Sequence, residues 1–143
     1  MEEKCCETGT DISRVTMILA CSGGSNVGQL ANQTAIELSS EGYGKMSCLA
    51  GVGGHLSGFV QSARDVDRLV LIDGCEKGCG KAIFEHLEIP IKTYLVITEL
   101  GIEKNKDFKL KREEIDRVKN AVKDASMTQS ESFTDISAGC SCS

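Results

Sequence analysis

The chain has 143 residues, of which 41% are hydrophobic and 26% charged, a composition typical of one globular domain. Its 16 basic and 21 acidic residues leave a formal net charge of −5, so there is no excess of positive charge to bind a phosphate backbone or an anionic membrane surface. No apolar run approaches the roughly 20 residues of a membrane-spanning helix, and the first residues lack the regions of a signal peptide. We therefore expect a cytoplasmic protein that binds neither nucleic acid nor membrane.

The first elements alternate between an apolar run typical of a buried strand and the periodicity of a helix. Val15–Ala20 predicts a strand that ends in the glycine turn Cys21–Gly24. A helix follows, with Ser25 or Asn26 as its N-cap and Gly42 as its stop.

The same order then repeats. Met46–Ala50 predicts a second strand, Gly51–Gly54 a turn, and Leu56–Ala63 a short helix with a weaker pattern. Leu69–Ile72 predicts a third strand, which Asp73-Gly74 ends.

The second half continues this alternation. The spacing predicts a helix that stops before Pro90. One face of this helix contains Cys79, Ala82, Ile83, His86 and Leu87. Tyr94–Ile97 predicts a fourth strand, Asn105–Lys111 a charged loop, and Ile115–Ala125 a final amphipathic helix.

Apolar strands that alternate with helices are typical of a parallel sheet covered on both faces. The sequence predicts an α/β fold with a small, doubly wound, mainly parallel four-stranded sheet and helices on both faces, a Rossmann-like three-layer arrangement. We expect one domain over residues 14–126. A flexible segment, residues 1–13, precedes it, and a flexible cysteine-containing tail, residues 127–143, follows it.

Three of the eight cysteines lie at or near the ends of predicted strands, and a fourth begins the next helix. Cys21 ends the first strand, Cys48 lies in or near the end of the second, and Cys75 follows the third. Cys79 comes four residues after Cys75, a spacing that brings two sulfurs to one side of a helical turn. Because the carboxyl ends of parallel strands share one edge of a sheet, these four thiols can meet there.

Eight cysteines in a reducing compartment indicate metal binding or catalysis rather than a disulfide framework. Four thiolates form the preferred closed shell of a structural zinc ion, and they also suit an iron–sulfur cluster or another thiophilic metal. The alternative is that Cys48 and Cys79 are small, buried hydrophobic residues.

Other polar residues fall near the predicted edge. His55 and His86 could each complete a metal shell, although His86 falls on the inward face of its helix. Asp73 either orients a ligand or caps the following helix, and we favour the cap. Thr98 and Glu99 end the fourth strand, where a solvated loop explains them equally well.

The first glycine turn leads into a helix N-terminus. There the backbone amides of Ser25, Asn26 and Val27 would bind an anion or favour a thiolate at Cys21. Nucleotide binding is not indicated, because Gly23–Gly28 does not match GxGxxG and no loop ends in GK[ST].

The remaining cysteines lie in the two predicted flexible ends: Cys5, Cys6, Cys140 and Cys142. They could capture a soft metal, exchange thiols with the core site, or have no role.

Several segments are similar to one known family. Asp73-Gly74-Cys75 and the run Cys21–Leu30 resemble a family of proposed zinc-binding proteins named for its DGC motif. Cys48–His55 and Thr98–Ile102 are also similar to that family, so the resemblance covers Val15–Lys104. It implies a metal but no reaction. The potential chelating cysteines that it implies fall on Cys21, Cys48, Cys75 and Cys79.

We therefore expect a metal-binding protein that holds zinc through these four cysteines at the carboxyl edge of a parallel sheet. The alternative is a thiol redox or sulfur-transfer protein in which Cys75 and Cys79 form a disulfide or one of them carries a persulfide. A third interpretation is an adaptor that docks a metalloprotein or redox partner, with the cysteine-bearing tails as transfer arms. No general acid/base pair at a recognisable spacing favours an enzyme.

Overall fold

A four-stranded parallel sheet forms the centre of the molecule. The computed structural model describes residues 15–131, with side chains through residue 127. The predicted segment 1–13 and most of the predicted tail therefore lie outside the described residues. The strands are β1 (Thr16–Ala20), β2 (Lys45–Met46), β3 (Arg68–Asp73) and β4 (Thr93–Val96). They lie in the order β2-β1-β3-β4 and every pair is parallel, so the predicted α/β class is confirmed.

Helices connect the strands and cover the sheet. They are α1 (Asn26–Ser40), α2 (Leu49–Gly53), α3 (Ser57–Asp65), α4 (Cys79–His86) and α5 (Arg112–Glu131). A short 3₁₀ helix, Ile97–Leu100, follows β4 directly. Within residues 15–131, no helix is both long and apolar enough to cross a membrane.

Alternate residues of the central strands divide the core between the two faces of the sheet. One cluster, on what we call the front face, contains Ile18 of β1 and Val70 and Ile72 of β3. The helix residues that pack with them come from α1 and α5: Val27, Leu30, Ala31, Ala35, Leu38, Ile115, Val118 and Val122.

The other cluster lies on what we call the back face. Leu19 of β1 and Leu69 and Leu71 of β3 point to this side. The three short helices α2, α3 and α4 contribute Val52, Ala63 and Phe84. The sheet is therefore covered on both faces, as predicted.

The first helix agrees with its predicted signals. Ser25 is the N-cap, and its hydroxyl accepts a hydrogen bond from the Gly28 N–H at 3.1 Å. The helix ends at Ser40, and Gly42 follows in a left-handed conformation (φ 81°), which glycine adopts without a steric penalty.

The predicted second strand is wrong beyond its first residue. β2 ends at Met46, and Cys48 is already the N-cap of α2, which includes most of the predicted glycine turn. The helix forms because Val52 is fully buried in the back-face cluster, and this packing overrides the low helical propensity of Gly51 and Gly53.

The predicted inward face of α4 is only partly right, because Ile83 and Leu87 pack against the back-face cluster but other predicted members do not. Gly80 and Phe84 are buried, whereas Cys79 and His86 are exposed. The reason is the close approach of the helix to β3. A Cβ atom on Gly80 would lie 2.8 Å from Leu71 Cδ1, so any larger residue would force the buried Leu71 side chain or the helix to shift.

Candidate thiol site

Cys21 and Cys75 flank the point where the strand order reverses, between β1 and β3. Cys21 directly follows β1, and its N–H donates to the Ile72 carbonyl at 2.9 Å. Cys75 comes two residues after β3. Both side chains are half-buried and pack against the front-face cluster. In open α/β sheets, ligands bind outside the carboxyl ends of the strands at such a reversal.

Cys48 and Cys79 lie on the helices of the back face. Cys48 caps α2, and its Sγ accepts a hydrogen bond from the Gly51 N–H at 3.4 Å. Cys79 is the first residue of α4. Both are exposed, so the interpretation of these two residues as buried hydrophobic residues is wrong.

The expected helical pairing of Cys75 with Cys79 is absent. Cys75 lies in a turn before α4, where the Gly78 N–H donates to the Cys75 carbonyl at 3.1 Å. Gly78 has a φ of 62° and separates this turn from the helix. The four-residue spacing therefore does not place the two sulfurs on one helical turn.

The four cysteines suit a thiophilic metal by their chemistry but not by their arrangement. All four are free thiols. Among the described residues, no group of three or more His, Cys, Asp and Glu side chains is placed to hold a metal ion. A closed zinc shell needs four ligands, so this arrangement does not present one.

Asp73 fixes the start of α4. Its carboxylate is buried and accepts hydrogen bonds from the Gly80 N–H at 2.9 Å and the Lys81 N–H at 3.0 Å. The Tyr94 hydroxyl donates to the same carboxylate at 2.8 Å. Burial, and then this hydrogen bond, raises the pKa of Tyr94 above its ordinary value. The predicted capping role of Asp73 is confirmed.

A segment between β4 and α5 brings two lysines to the cysteine edge. Lys104 Nζ donates to Cys75 Sγ at 3.4 Å. Lys106 Nζ donates to the carbonyl oxygen of Gly24, in the first glycine turn. Sequence reasoning treated this segment as a charged loop and missed both residues. Its density of lysines was the one local signal that could have identified them.

Asn26 holds this lysine segment in place. Its N–H donates to the Asn105 carbonyl at 3.0 Å, and its Nδ2 donates to the Glu103 carbonyl at 2.8 Å. Its Oδ1 accepts from the Asn105 N–H at 2.6 Å. The side chain is only 6% exposed, so a buried amide fixes the segment over the start of α1.

The same contacts remove part of the expected anion site at the N-terminus of α1. The Asn26 N–H is engaged by Asn105, and the Ser25 N–H donates to the Gly23 carbonyl at 2.9 Å. Two of the three predicted amides therefore already have carbonyl partners.

The two histidines lie together, at the opposite end of α4 from Cys79. Their rings stack with centroids 5.2 Å apart, and both residues are exposed. His86 ends the helix that Cys79 begins, and eight helical residues span about 12 Å. The expectation that His86 faces inward is wrong.

Thr98 and Glu99 lie in the 3₁₀ helix rather than in a loop. The Thr98 N–H donates to the Gly74 carbonyl at 3.2 Å, which ties this helix to the turn after β3. Cys5, Cys6, Cys140 and Cys142 lie outside the described residues.

An open, mainly apolar groove of about 470 Å³ lies elsewhere, beside β2 and α3. Val15, Met46 and Phe59 line it, and its lining includes none of the four cysteines.

Comparisons with known proteins place the sequence in context. Residues 17–122 match the family model described as DGC domain. The chain is 39% identical over 88 residues to the anaerobic and virulence modulator AnvM of Pseudomonas aeruginosa, a match that covers 62% of this chain and 67% of that protein. No solved structure matches significantly.

Proposed function

The chain belongs to the DGC-domain family, and we propose that it acts as a thiol redox or sulfur-transfer protein whose reactive sulfur is Cys75. The observation that supports this most directly is the ammonium group of Lys104, 3.4 Å from Cys75 Sγ. The thiolate is the nucleophilic form of cysteine, and a neighbouring positive charge stabilises an anionic sulfur, whether a thiolate or a persulfide.

The surroundings of Cys75 suit this role. The side chain packs on one side against the front-face cluster and is half-exposed, so a reactant can approach the sulfur from solvent. Its position at the reversal of strand order is where α/β sheets bind their ligands. Cys79 has a different environment, because it is exposed at the start of α4.

In the redox form of the proposal, the Cys75 thiolate attacks a disulfide of a partner protein and one partner sulfur leaves as a thiolate. Cys79 then attacks the Cys75 sulfur of the mixed disulfide, and the second partner sulfur leaves. This step requires the turn that contains Gly78 to rearrange and bring the two sulfurs together. Two electrons and two protons pass from the two cysteines to the partner. We propose a cytoplasmic location, where thiols are kept reduced and disulfides are transient.

Rates of alkylation at each cysteine test this proposal. Iodoacetamide is added in limiting amount to the anaerobic, reduced full-length protein, and mass spectrometry reports the modification of each cysteine with time. We expect Cys75 to react fastest and Lys104→Met to slow its reaction about eightfold, the effect of one charge at this distance in a water-like medium. Equal rates at all four core cysteines, or a Cys75 that reacts last, would contradict the proposal.

Metal binding is a second candidate, supported by four free thiols on the connections after β1, β2 and β3. We propose zinc as the metal, with another thiophilic metal or an iron–sulfur cluster as alternatives. The ligands would be Cys21, Cys48, Cys75 and Cys79. Because these residues do not present a closed shell, binding would have to draw the exposed pair toward the half-buried pair.

Elemental analysis tests the metal proposal. Protein purified anaerobically without added metal is compared with the Cys75→Ser variant. Near-stoichiometric zinc that is lost in the variant supports the proposal, and metal-free wild-type protein contradicts it. Since the fold has its own core on both faces of the sheet, we expect chelation to leave the far-UV circular dichroism spectrum unchanged.

Either candidate implies a protein partner that supplies or receives the metal or the electrons. The name of the relative from Pseudomonas aeruginosa describes an anaerobic modulator, and a thiol that changes with redox conditions is compatible with such a role. We propose a redox protein or a metalloprotein as the partner.

A further inference from the structure

Two lysine ammonium groups stand beside the ends of neighbouring strands. Lys104 contacts the sulfur of Cys75, just after β3. Lys106 contacts the carbonyl of Gly24, four residues after β1. The two positive charges are therefore on the β1 and β3 sides of the crevice in which this fold binds ligands.

This placement is imposed by the fold rather than by the reach of flexible side chains alone. The three hydrogen bonds of the buried Asn26 fix the backbone at Glu103 and Asn105. Glu103 and Asn105 alternate with Lys104 and Lys106 along the chain. Each lysine therefore directly follows a residue whose backbone is hydrogen-bonded to Asn26.

The charge of the segment contrasts with that of the chain. Residues 103–111 contain four lysines and two acidic residues, Glu103 and Asp107, a net charge of +2 (4 − 2), whereas the whole chain has a net charge of −5. A local excess of positive charge raises the concentration of anions near it and speeds their association.

We propose that the Cys75 site takes a small anionic substrate, a sulfane-sulfur donor, and that Lys104 and Lys106 bind its negative charge. This inference rests on the proposed thiol function and specifies its substrate class. An ammonium group has three N–H donors. One donor of Lys104 goes to Cys75 Sγ and one donor of Lys106 goes to the Gly24 carbonyl, which leaves further donors on each lysine for an anion.

The transfer step needs no external oxidant. The Cys75 thiolate attacks the outer, sulfane sulfur of the donor and forms a new S–S bond. The bond between the sulfane sulfur and the rest of the donor breaks, and the leaving anion takes that electron pair. Cys75 then carries a persulfide anion, and the total negative charge is unchanged. Lys104 contacts the Cys75 sulfur, which bears this charge before the step. After the step the charge is on the outer sulfur of the persulfide, one S–S bond of about 2 Å further out.

A comparison of two alkylating agents of similar size tests the charge requirement. Iodoacetate is anionic and iodoacetamide is neutral, so the ratio of their rates at Cys75 reports the local field independently of the thiolate fraction. We expect Lys104→Met to lower this ratio about fivefold and Lys106→Met to lower it about twofold. Higher ionic strength should lower the ratio in the wild type. Lys109→Met, further along the same segment, is the matched control and should leave the ratio unchanged.

Incubation with thiosulfate under anaerobic conditions tests the transfer itself. Mass spectrometry should find one added sulfur atom on Cys75, at a rate that Lys106→Met lowers while circular dichroism shows an intact fold. In one outcome, Cys75 is alkylated by iodoacetamide while its iodoacetate-to-iodoacetamide rate ratio stays the same in all three lysine variants. That result overturns the anionic substrate and leaves the thiol function standing. Charge-dependent alkylation without persulfide formation overturns the sulfur donor. A Cys75 that is inert to both alkylating agents overturns the thiol function and this inference together.

Discussion

The two faces of the sheet are built differently. The front face is covered by α1 with 15 residues and α5 with 20 residues, and it contains the larger buried cluster. The back face is covered by helices of only 5, 9 and 8 residues. Helices this short have little stability of their own, so the back face depends on tertiary packing.

The cysteines follow the same division. Cys21 and Cys75, with the clamped lysine segment, belong to the front face, whereas Cys48 and Cys79 are exposed on the short back-face helices. A reactive thiol benefits from fixed neighbours, and the front face supplies them. Four cysteines that all follow strands of one sheet therefore differ in their surroundings and need not have equivalent roles.

The largest effect should come from the core of the back face. Phe84 is fully buried, so Phe84→Ala should destabilise the protein by about 3–5 kcal/mol. Chemical denaturation measures the loss, and hydrogen exchange should show it first in α2, α3 and α4. Phe59→Ala is the matched control. Phe59 is on the same face but is 37% exposed, so its replacement should lower the free energy of unfolding clearly less. Equal losses would show that the back face is not organised around Phe84.

A second test concerns the contact that holds α1 over the glycine turn. A Cβ atom on Gly28 would lie 2.6 Å from the Gly23 carbonyl oxygen, so Gly28→Ala should destabilise the protein by about 1–3 kcal/mol and alter the reactivity of Cys21. Gly58→Ala is the control. Gly58 lies in α3 with open space around it, and alanine there should stabilise by up to about 1 kcal/mol. If Gly28→Ala leaves the free energy of unfolding unchanged, the backbone around this contact can shift without cost.

The elements that were predicted well have local signals. The first helix has its cap, its apolar periodicity and its stop within one stretch of sequence. The third strand is an uninterrupted apolar run ended by Asp73-Gly74. In such segments, the residues that determine the conformation are neighbours in sequence.

The errors arise where distant packing decides the structure. Met46–Ala50 has the composition of a strand, yet the burial of Val52 on the back face draws Leu49–Gly53 into a helix. The inward face of α4 depends on how closely Gly80 approaches Leu71, which no periodicity reveals.

The lysine segment of the candidate site was not predictable from sequence patterns. Its position depends on Asn26, whose partners Glu103 and Asn105 lie 77 and 79 residues away. An asparagine at a helix N-terminus normally indicates a cap. Only the folded structure shows that Asn26 instead bonds to the backbone of Glu103 and Asn105, in the segment between β4 and α5.

The back face should respond to alkaline pH through Tyr94. Its pKa is raised by burial and by the hydrogen bond to Asp73, so ionisation in the folded state is unfavourable. The stabilising contribution is complete below the ordinary tyrosine pKa of 10.0 and is lost as pH rises above it. Tyr94→Phe should cost about 0.5–1.5 kcal/mol at neutral pH and flatten the stability curve above pH 10, as measured by denaturation across the alkaline range. If Tyr94→Phe loses stability above pH 10 as steeply as the wild type does, the alkaline loss of stability arises from other groups.

The front face should respond to acid instead, with the smallest effect. Arg112 donates to both carboxylate oxygens of Glu37, at 2.6 and 3.0 Å, and links α5 to α1. This hydrogen bonding lowers the pKa of Glu37 to about 2 from 4.5. The contribution is therefore complete above pH 4.5 and is lost as pH falls toward about 2. Glu37→Gln should cost about 1 kcal/mol or less at neutral pH, and this cost should shrink steadily as pH falls from 4.5 toward about 2. If the double variant Glu37→Gln and Tyr94→Phe loses both the acid and the alkaline dependence additively, the two faces titrate as independent units. A non-additive loss would mean that they are coupled through the strands they share.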